Sequence, residues 1–522
     1  MERFVSEKIT SEELSILDNN SEWLGIDKSL LMECAGYSFA IEIIDKYKLN
    51  KKTKVVIFAG TGNNGGDSFV VARHLASQGI PVFLLLLGSP EKIRTTESRS
   101  NWDVLLNLEH LIERKIIIDS KNLVETKDLI KNNSEYCVIV DGLLGTGIQG
   151  KIREPISSCI AIINELKKND NHFNVVSIDV PSGMDPNSGK INDIAIKSDL
   201  VITFHKKKVG FKSSNDYIKE VIVKPIGIPI EASIVVGRGD LLPTLKIRQK
   251  NNHKGQFGKI LVIGGSKNYT GAPTYSSMTA IHFGCDLVIT YVPDIISNVL
   301  RSYSPDMIVR SNPGEWLNMD SYEEIKWLID WADCILIGPG LGAESQTEKL
   351  LVNLLRYLVE NNKKFVLDAD ALKFIKDHLE IIRGSQCILT PHEEELKIMT
   401  GIKLPPHNEV ENRGKILHDL GKKLDVTLIL KGPIDYIASK DKIKINKTGC
   451  PEMSIGGTGD VLAGLCACFL GTENDTFQSA CSAAFLNGCL GEHCKSVIGP
   501  RFTAMDMIKV MNEVISRLQK KI

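Results

Sequence analysis

The sequence predicts an α/β chain of two domains, each a mainly parallel sheet flanked by helices. Apolar runs of strand length recur along all 522 residues. Most of them end in a glycine or aspartate turn, and most turns lead into a segment with helical spacing. A chain this long is too large for one core, so two or three domains are expected. The division falls near 232/233. Pro225 to Ile230 reads as the exit from a first domain, and Gly237, Gly239 and Pro243 break any pattern between Glu231 and Asn252.

In the first half, residues 11–48 carry helical spacing, with Leu30 to Gly36 as a packed segment. The strand Lys54 to Ala59 runs into Gly60-Thr61-Gly62-Asn63-Asn64-Gly65-Gly66-Asp67. A helix from Ser68 and a strand from Pro81 to Leu87 follow. Strand, glycine loop, helix and strand make a βαβ unit whose loop suits the phosphates of a nucleotide. Asn63, Asn64 and Asp67 add side-chain oxygens for a ribose, an amide or a hard cation. Two further strands end in polar turns, Asp141-Gly142-Leu143-Leu144-Gly145-Thr146-Gly147 and Asp179-Val180-Pro181-Ser182-Gly183-Met184-Asp185. Loops at the carboxyl ends of parallel strands line one crevice, so Asn64, Asp141, Asp179 and Ser182 can converge there. A single Asp-Gly turn would read as a cap alone. The strand Leu200 to Phe204 brings Lys208 to the same edge, either as a surface lysine or facing a charged ligand.

The second half repeats the alternation. Strands lead into Gly264-Gly265-Ser266, Gly338-Pro339-Gly340-Leu341-Gly342, Asp368-Ala369-Asp370-Ala371, Thr390-Pro391-His392 and Lys431-Gly432. A small-residue helix is expected over 274–284. His392 either caps the helix that begins near Glu393 or faces a ligand. The half is organised around Gly456-Gly457-Thr458-Gly459-Asp460 and the apolar run after Val461. That stretch reads as a tight loop opening a buried helix whose free N–H groups hold an anion. Asp460, one residue past the loop, is placed to take a proton from a hydroxyl that attacks a bound phosphate.

Composition excludes other classes. Apolar residues at 43% and charged residues at 24% are ordinary globular values, and the net charge of −1 gives no pull toward nucleic acid or membrane. The N-terminus lacks the apolar core of a secretory leader, and Val82 to Leu87 and the run after Val461 are too short to span a bilayer. Twelve cysteines without a Cys-x-x-Cys pair fit reduced thiols in the cytoplasm.

In the first half, Gly-x-Gly-Asn-Asn-Gly-Gly-Asp, Asp-Gly-Leu-Leu-Gly-Thr-Gly and Asp-Val-Pro-Ser-Gly-Met-Asp, in that order, resemble the NAD(P)HX epimerase family. That resemblance implies a Rossmann-like domain that interconverts the R and S forms of hydrated NADH and NADPH around a potassium ion. It implies Asn64, Asp141 and Ser182 as K⁺ ligands. Nucleotide contacts would come from Asn63, Asn64, Gly65, Gly66 and Asp67, from Gly145, Thr146, Gly147, Ile148, Gln149, Gly150 and Lys151, and from Asp179. Asp179 is the candidate acid/base for inversion at C6, with Lys208 second. Ser68 stands where the family usually has glycine. The second half resembles the ribokinase-like superfamily and, within it, the ADP- or ATP-dependent NAD(P)HX dehydratases. The marks are His253-Lys254-Gly255, Gly265-Ser266 through Ala272, Gly338 to Gly342, Asp368 to Ala371, Thr390 to Glu395, Lys431-Gly432 and Gly456 to Asp460.

That second resemblance implies hydrate contacts at Ala272, Gly342, His392 and Asp460. It implies adenine-nucleotide contacts at Lys431, Gly432, Pro433, Ile434, Asp435, Gly457, Thr458 and Gly459, with Mg²⁺ bridging phosphates and Asp460 as base. The family usually has a hydroxyl or small residue near Asp435. The fused arrangement resembles bacterial and archaeal proteins, in which ADP is the usual donor. The implied partners are NADHX, NADPHX and ADP, with no nucleic acid and no membrane, and a homo-oligomer is expected. Two other readings stay open at this point. The second half can be a vitamin-precursor kinase that shares the same anion hole and base, and the first half can be a non-catalytic binding module.

Overall fold

The structure, a computed structural model, describes residues 6–131, 136–147, 150–169, 173–211 and 216–520. Internal contacts divide the chain into two compact units, Ser6–Pro229 and Ile230–Ile522. The expected cut at 232/233 falls inside the helical turn Glu231–Ile234, so the units part three residues earlier.

In the first unit, seven strands form one sheet: β1 (Lys54–Ala59), β2 (Val82–Leu87), β3 (Ile112–Ile117), β4 (Tyr136–Gly142), β5 (Asn174–Ile178), β6 (Ser198–Phe204) and β7 (Ile218–Lys224). Their order is β3-β2-β1-β4-β5-β6-β7, all parallel. Strand alternation explains the unbroken apolar runs. Val55, Ile57 and Ala59 enter one core with Phe39 and Ile43, whereas Val56 and Phe58 enter the opposite core with Ile160 and Ile163. Both faces are covered, as a parallel sheet requires. Between β1 and β4 the order reverses, which opens a crevice at their carboxyl ends.

The N-terminal segment read only as helical holds two helices. Ser11–Trp23 starts at a Thr10–Glu13 capping box, and Lys28–Tyr47 buries Ala35, Phe39 and Ile43 along one face. Ahead of them Lys8–Ile9 pairs in parallel with Lys207–Lys208.

The second unit holds nine strands: β8 (Lys259–Ile263), β9 (Leu287–Pro293), β10 (Ile308–Asn312), β11 (Cys334–Ile337), β12 (Phe365–Leu367), β13 (Cys387–Leu389), β14 (Thr427–Leu430), β15 (Asp435–Ala438) and β16 (Ile443–Asn446). Their order is β10-β9-β8-β11-β12-β13-β14-β15-β16, and only the pairs β14–β15 and β15–β16 are antiparallel. The helix Thr458–Gly471 is buried from Val461 to its end and packs against the helices Gly271–Phe283 and Thr476–Val497. Its approach to the first of these needs a bare backbone, because a Cβ on Gly464 would stand 2.8 Å from the Ser276 carbonyl oxygen. The helix expected over 274–284 begins earlier, at Gly271, and so takes Gly271 and Ala272 into its first turn.

Candidate active sites

In the first unit the site is assembled at the β1/β4 crevice. Asn63 to Asp67 form the opening of the helix Asn63–Ser77 instead of the loop the sequence suggested, because Gly62 is already the extended N-cap. This places Asn64 one residue into the helix, where its Nδ2 donates to the carbonyls of Leu144 (3.0 Å) and Ile178 (3.1 Å). The buried Asp141 accepts from Ser177 Oγ at 2.7 Å, Ser182 N at 2.9 Å and Ser182 Oγ at 2.5 Å. Burial pushes its carboxyl upward, and the hydrogen bonds from Ser182, Ser177 and Leu143 oppose that shift. Asn64, Asp141 and Ser182 are thereby brought together through shared neighbours, with Leu144 bonded to both Asn64 and Ser182. Ser68, the departure from the family pattern, is fully buried and donates to the Asn64 carbonyl at 2.9 Å.

Asp179 ends β5 with a φ of +60°, a left-handed conformation uncommon outside glycine. The turn aims its Oδ1 at three donors: Thr203 Oγ1 (2.9 Å), Phe204 N (3.0 Å) and Lys208 Nζ (2.6 Å). Lys208 is entirely buried, so the question of whether it is a surface lysine is answered. Its backbone pairs with Ile9 of the short N-terminal strand. Two more carboxyls face this pair. Burial, reinforced by the charges of Asp179 and Asp18, pushes Asp67 well up, and burial raises Asp18 to about 6. Asp18 was not legible in the sequence, since it sits on a mixed helix that reads as a surface element. Gly145, Thr146, Gly147, Gly150 and Lys151 are on the loop beyond β4, where Gly145 faces the Asn64 side chain. Ile148 and Gln149 lie outside the described residues.

In the second unit the helix Thr458–Gly471 opens at Gly457, whose φ of +97° requires glycine and which offers no capping side chain. The amides at the helix start are therefore left to an outside acceptor. Asp460 lies within this first turn, not beyond a loop, and is held by its own carbonyl, which accepts from Ser276 Oγ at 3.0 Å. Its half-buried carboxyl is pushed up to about 7, first by burial and then by Asp368, while Lys431 pulls it down.

Lys431 connects the strand ends. Its Nζ lies 2.9 Å from Asp368 and 3.7 Å from Glu395, and 3.6 Å from where a Cβ on Gly459 would stand. Burial alone would lower the ammonium, but Asp368, Glu395 and Asp460 together raise it, so it stays charged. His392 is the N-cap of Glu393–Thr400 in a capping box with Glu395, and its ring is still half-exposed. Gly342 N–H donates to Asp370 Oδ2 at 2.9 Å, and a Cβ on Gly340 would come within 3.4 Å of Ala272. Gly432 to Ile434 form the turn between β14 and β15.

Asp435, expected to contact the nucleotide, stands at the start of β15. Its Oδ1 accepts from Gly432 N–H and its Oδ2 from Asn446 Nδ2, each at 3.0 Å, which fixes the turn. Asp368, Asp370 and Glu395 enter the site without having been singled out by role. The signal was present in the sequence, as paired acids at a strand end.

Comparison with known proteins covers nearly the whole chain. A family profile described as the YjeF-related protein N-terminus matches residues 28–210, and one described as NAD(P)H-hydrate dehydratase matches residues 260–513. The bifunctional NAD(P)H-hydrate repair enzyme Nnr of Methanothermobacter thermautotrophicus is 38% identical over 96% of this chain and 94% of its own. Its namesake from Archaeoglobus fulgidus is 38% identical over 98% of this chain and 99% of its own. Among solved structures, the ADP/ATP-dependent NAD(P)H-hydrate dehydratase of Bacillus subtilis, co-crystallised with ATP and Mg²⁺, matches at 22% identity and a TM-score of 0.46. It covers 55% of this chain and 99% of that one.

Proposed function

The chain belongs to the bifunctional NAD(P)H-hydrate repair enzymes, and from that membership we propose which residues do the work and with which donor. The observation that carries the reading is Asp460, a carboxyl with a pKa of about 7 in the first turn of a helix whose N-terminal amides are uncapped, beside a charged lysine. Such a group is ionised in part at neutral pH and is a competent base there.

In the second unit Asp460 accepts the proton of the 6-hydroxyl of S-NAD(P)HX as that oxygen bonds to the terminal phosphorus of ADP and AMP leaves. The amides of Thr458 and Gly459 and the Lys431 ammonium face the charge that develops on phosphorus. The lone pair of the ring nitrogen then expels phosphate from C6, and transfer of a proton from C5 to the departing phosphate restores the dihydronicotinamide. Among the described residues no group of three or more carboxylate, histidine or cysteine side chains is spaced to hold a metal ion, so Mg²⁺ would be carried in on the phosphates of ADP. When bound, it would neutralise phosphate oxygens.

In the first unit Asp179 takes the 6-hydroxyl proton while the C6–N1 bond opens to an aldehyde, and the nitrogen takes up a proton from Asp67, whose carboxyl burial pushes well up. Reclosure on the other face of the aldehyde, with the two proton transfers reversed, inverts C6. Lys208 holds Asp179 in place. Asn64 Oδ1, Ser182 Oγ and the carboxylate of Asp141 supply oxygen alone. Asp141 adds one buried negative charge whose hydrogen-bond partners are all neutral, and this matches a single K⁺. The described cysteines are free thiols, consistent with the cytoplasm, and no helix of the described residues is long and apolar enough to cross a membrane.

The test uses resolved epimers. S-NADHX with ADP regenerates the absorbance of NADH, and Asp460→Asn lowers that rate about a thousandfold while R-to-S conversion persists. Asp179→Asn does the reverse, lowering epimerisation about a hundredfold. A stable phosphorylated alcohol would instead mark a kinase, and unchanged epimerisation in Asp179→Asn would leave the first unit as a binding module.

A further inference from the structure

The loop after β10 carries a side chain that the chemistry above leaves unused. Trp316 is half-buried, and its Cδ1 and Nε1 both lie 3.5 Å from where a Cβ on Gly342 would stand. Gly342 adopts a φ of +81°, so the backbone is bare there and the pyrrole edge of the indole faces Gly342, one of the positions at which the family resemblance implies contact with the hydrate. The ring is fixed from two sides. Leu317, next in sequence, is fully buried and its carbonyl accepts from Thr347 Oγ1 at 2.8 Å. Lys267 Nζ sits 4.5 Å from the ring centroid and is itself paired with Glu315 at 2.8 Å. An indole N–H can only donate, and a half-buried tryptophan ordinarily has an acceptor. Among the described residues this one has none.

We propose that Trp316 is a substrate-binding residue of the dehydratase unit: its Nε1–H donates to the carboxamide oxygen of the hydrated nicotinamide, and the Lys267–Glu315 pair holds the indole for it. This rests on the reading that places the hydrate against Ala272 and Gly342. The hydrate offers three kinds of acceptor. The 6-hydroxyl is committed to Asp460. The diphosphate calls for a cation, and Lys267, which stands over the ring, is tied to Glu315. The carboxamide oxygen remains. It is conjugated through C2=C3 to the ring nitrogen and therefore carries extra negative charge in the bound hydrate. That charge is withdrawn as the nitrogen lone pair turns toward C6 to expel phosphate. The bond is thus strongest in the ground state, which makes it a determinant of KM and not of kcat.

The experiment is steady-state kinetics on the full chain with Trp316→Phe, which keeps an aromatic ring and removes the donor. KM for S-NADHX rises about tenfold, the effect of one lost hydrogen bond, while kcat does not fall and KM for ADP is unchanged. With the hydrate of the thionicotinamide analogue, whose sulfur is a poor acceptor, the same substitution changes KM less than twofold. An unaltered KM for S-NADHX in the active variant overturns the proposal, as does an equal penalty on amide and thioamide hydrates or a loss confined to kcat. Failure of the unsubstituted enzyme to regenerate NADH from S-NADHX and ADP sinks the functional reading and this inference together. Wild-type turnover with an indifferent Phe variant sinks this inference alone.

Discussion

The protonation of Asp460 is set by opposing neighbours, and this makes the dehydratase pH profile a direct probe of the site. Burial and the negative charges of Asp368, Asp370 and Glu395 raise its pKa to about 7, and Lys431 pulls it down. A base must be ionised to act, so kcat/KM climbs with pH up to about 7 and levels off above it. Asp368→Asn removes the charge that contributes most to the rise after burial, while Lys431 keeps Glu395 as a partner. The acid limb of kcat/KM then moves down by about one unit. A limb that stays put or moves up in this variant would show that Asp460 is not the titrating base. Asp179 presents the opposite arrangement, a carboxylate with a lysine and two other donors on one oxygen, and its left-handed backbone is the local cost of that geometry.

At the scale of elements, the two sites rest on strand-to-helix turns where backbones touch. A Cβ on Gly65 would stand 1.9 Å from the Gly60 carbonyl oxygen, and one on Gly60 would stand 2.0 Å from that of Leu143. Neither oxygen is the end of a flexible side chain, so nothing can give without moving β1 or the turn after β4. Gly65→Ala therefore costs the first unit about 3 kcal/mol. The expected result is loss of R-to-S conversion with ADP-dependent turnover of S-NADHX intact; an epimerase of normal activity would show the crevice to be more plastic than its contacts.

These turns are also where the sequence was most legible. Glycine, asparagine and aspartate after an apolar run leave few alternatives to a strand end, and Asn64, Asp141, Asp179 and Ser182 were each singled out that way, whereas Asp460 was singled out by the glycine loop ahead of an apolar helix. Three features escaped for physical reasons. Helix starts at Asn63 and Gly271 were placed late because glycine and asparagine are poor helix formers, and here the position at the sheet edge overrides propensity. The antiparallel β15 and β16 are four residues each, too short for the alternation of Ile443-Lys444-Ile445-Asn446 to stand out. The hydrogen bond from Asn446 to Asp435, eleven positions apart, exists only because the hairpin pairs the two residues.

For the whole molecule, what matters is that burial is divided as the chain is. The large apolar cluster of the second unit runs from Leu261 to Ile445 and draws on no residue before Ile234, while the two clusters that cover the first sheet end at Ile228. Each unit therefore carries its own sheet, its own core and its own set of charged groups, which is what independent folding requires. Nothing in the dehydratase chemistry calls on Asp179, and nothing in the epimerisation calls on Asp460. A fragment that begins at Ile230 should accordingly fold cooperatively and convert S-NADHX to NADH with ADP at the rate of the full chain. Presented with R-NADHX, it should turn over only as fast as that epimer inverts without a catalyst. Adding the separate 6–229 fragment should then restore conversion of the R form in proportion to the amount added, as measured by the return of NADH absorbance from a mixed-epimer stock. Dehydratase activity that vanished in a folded 230–522 fragment would mean that the first unit supplies part of the second site, and the assignment of Asp460 and Lys431 as a self-sufficient pair would have to be withdrawn.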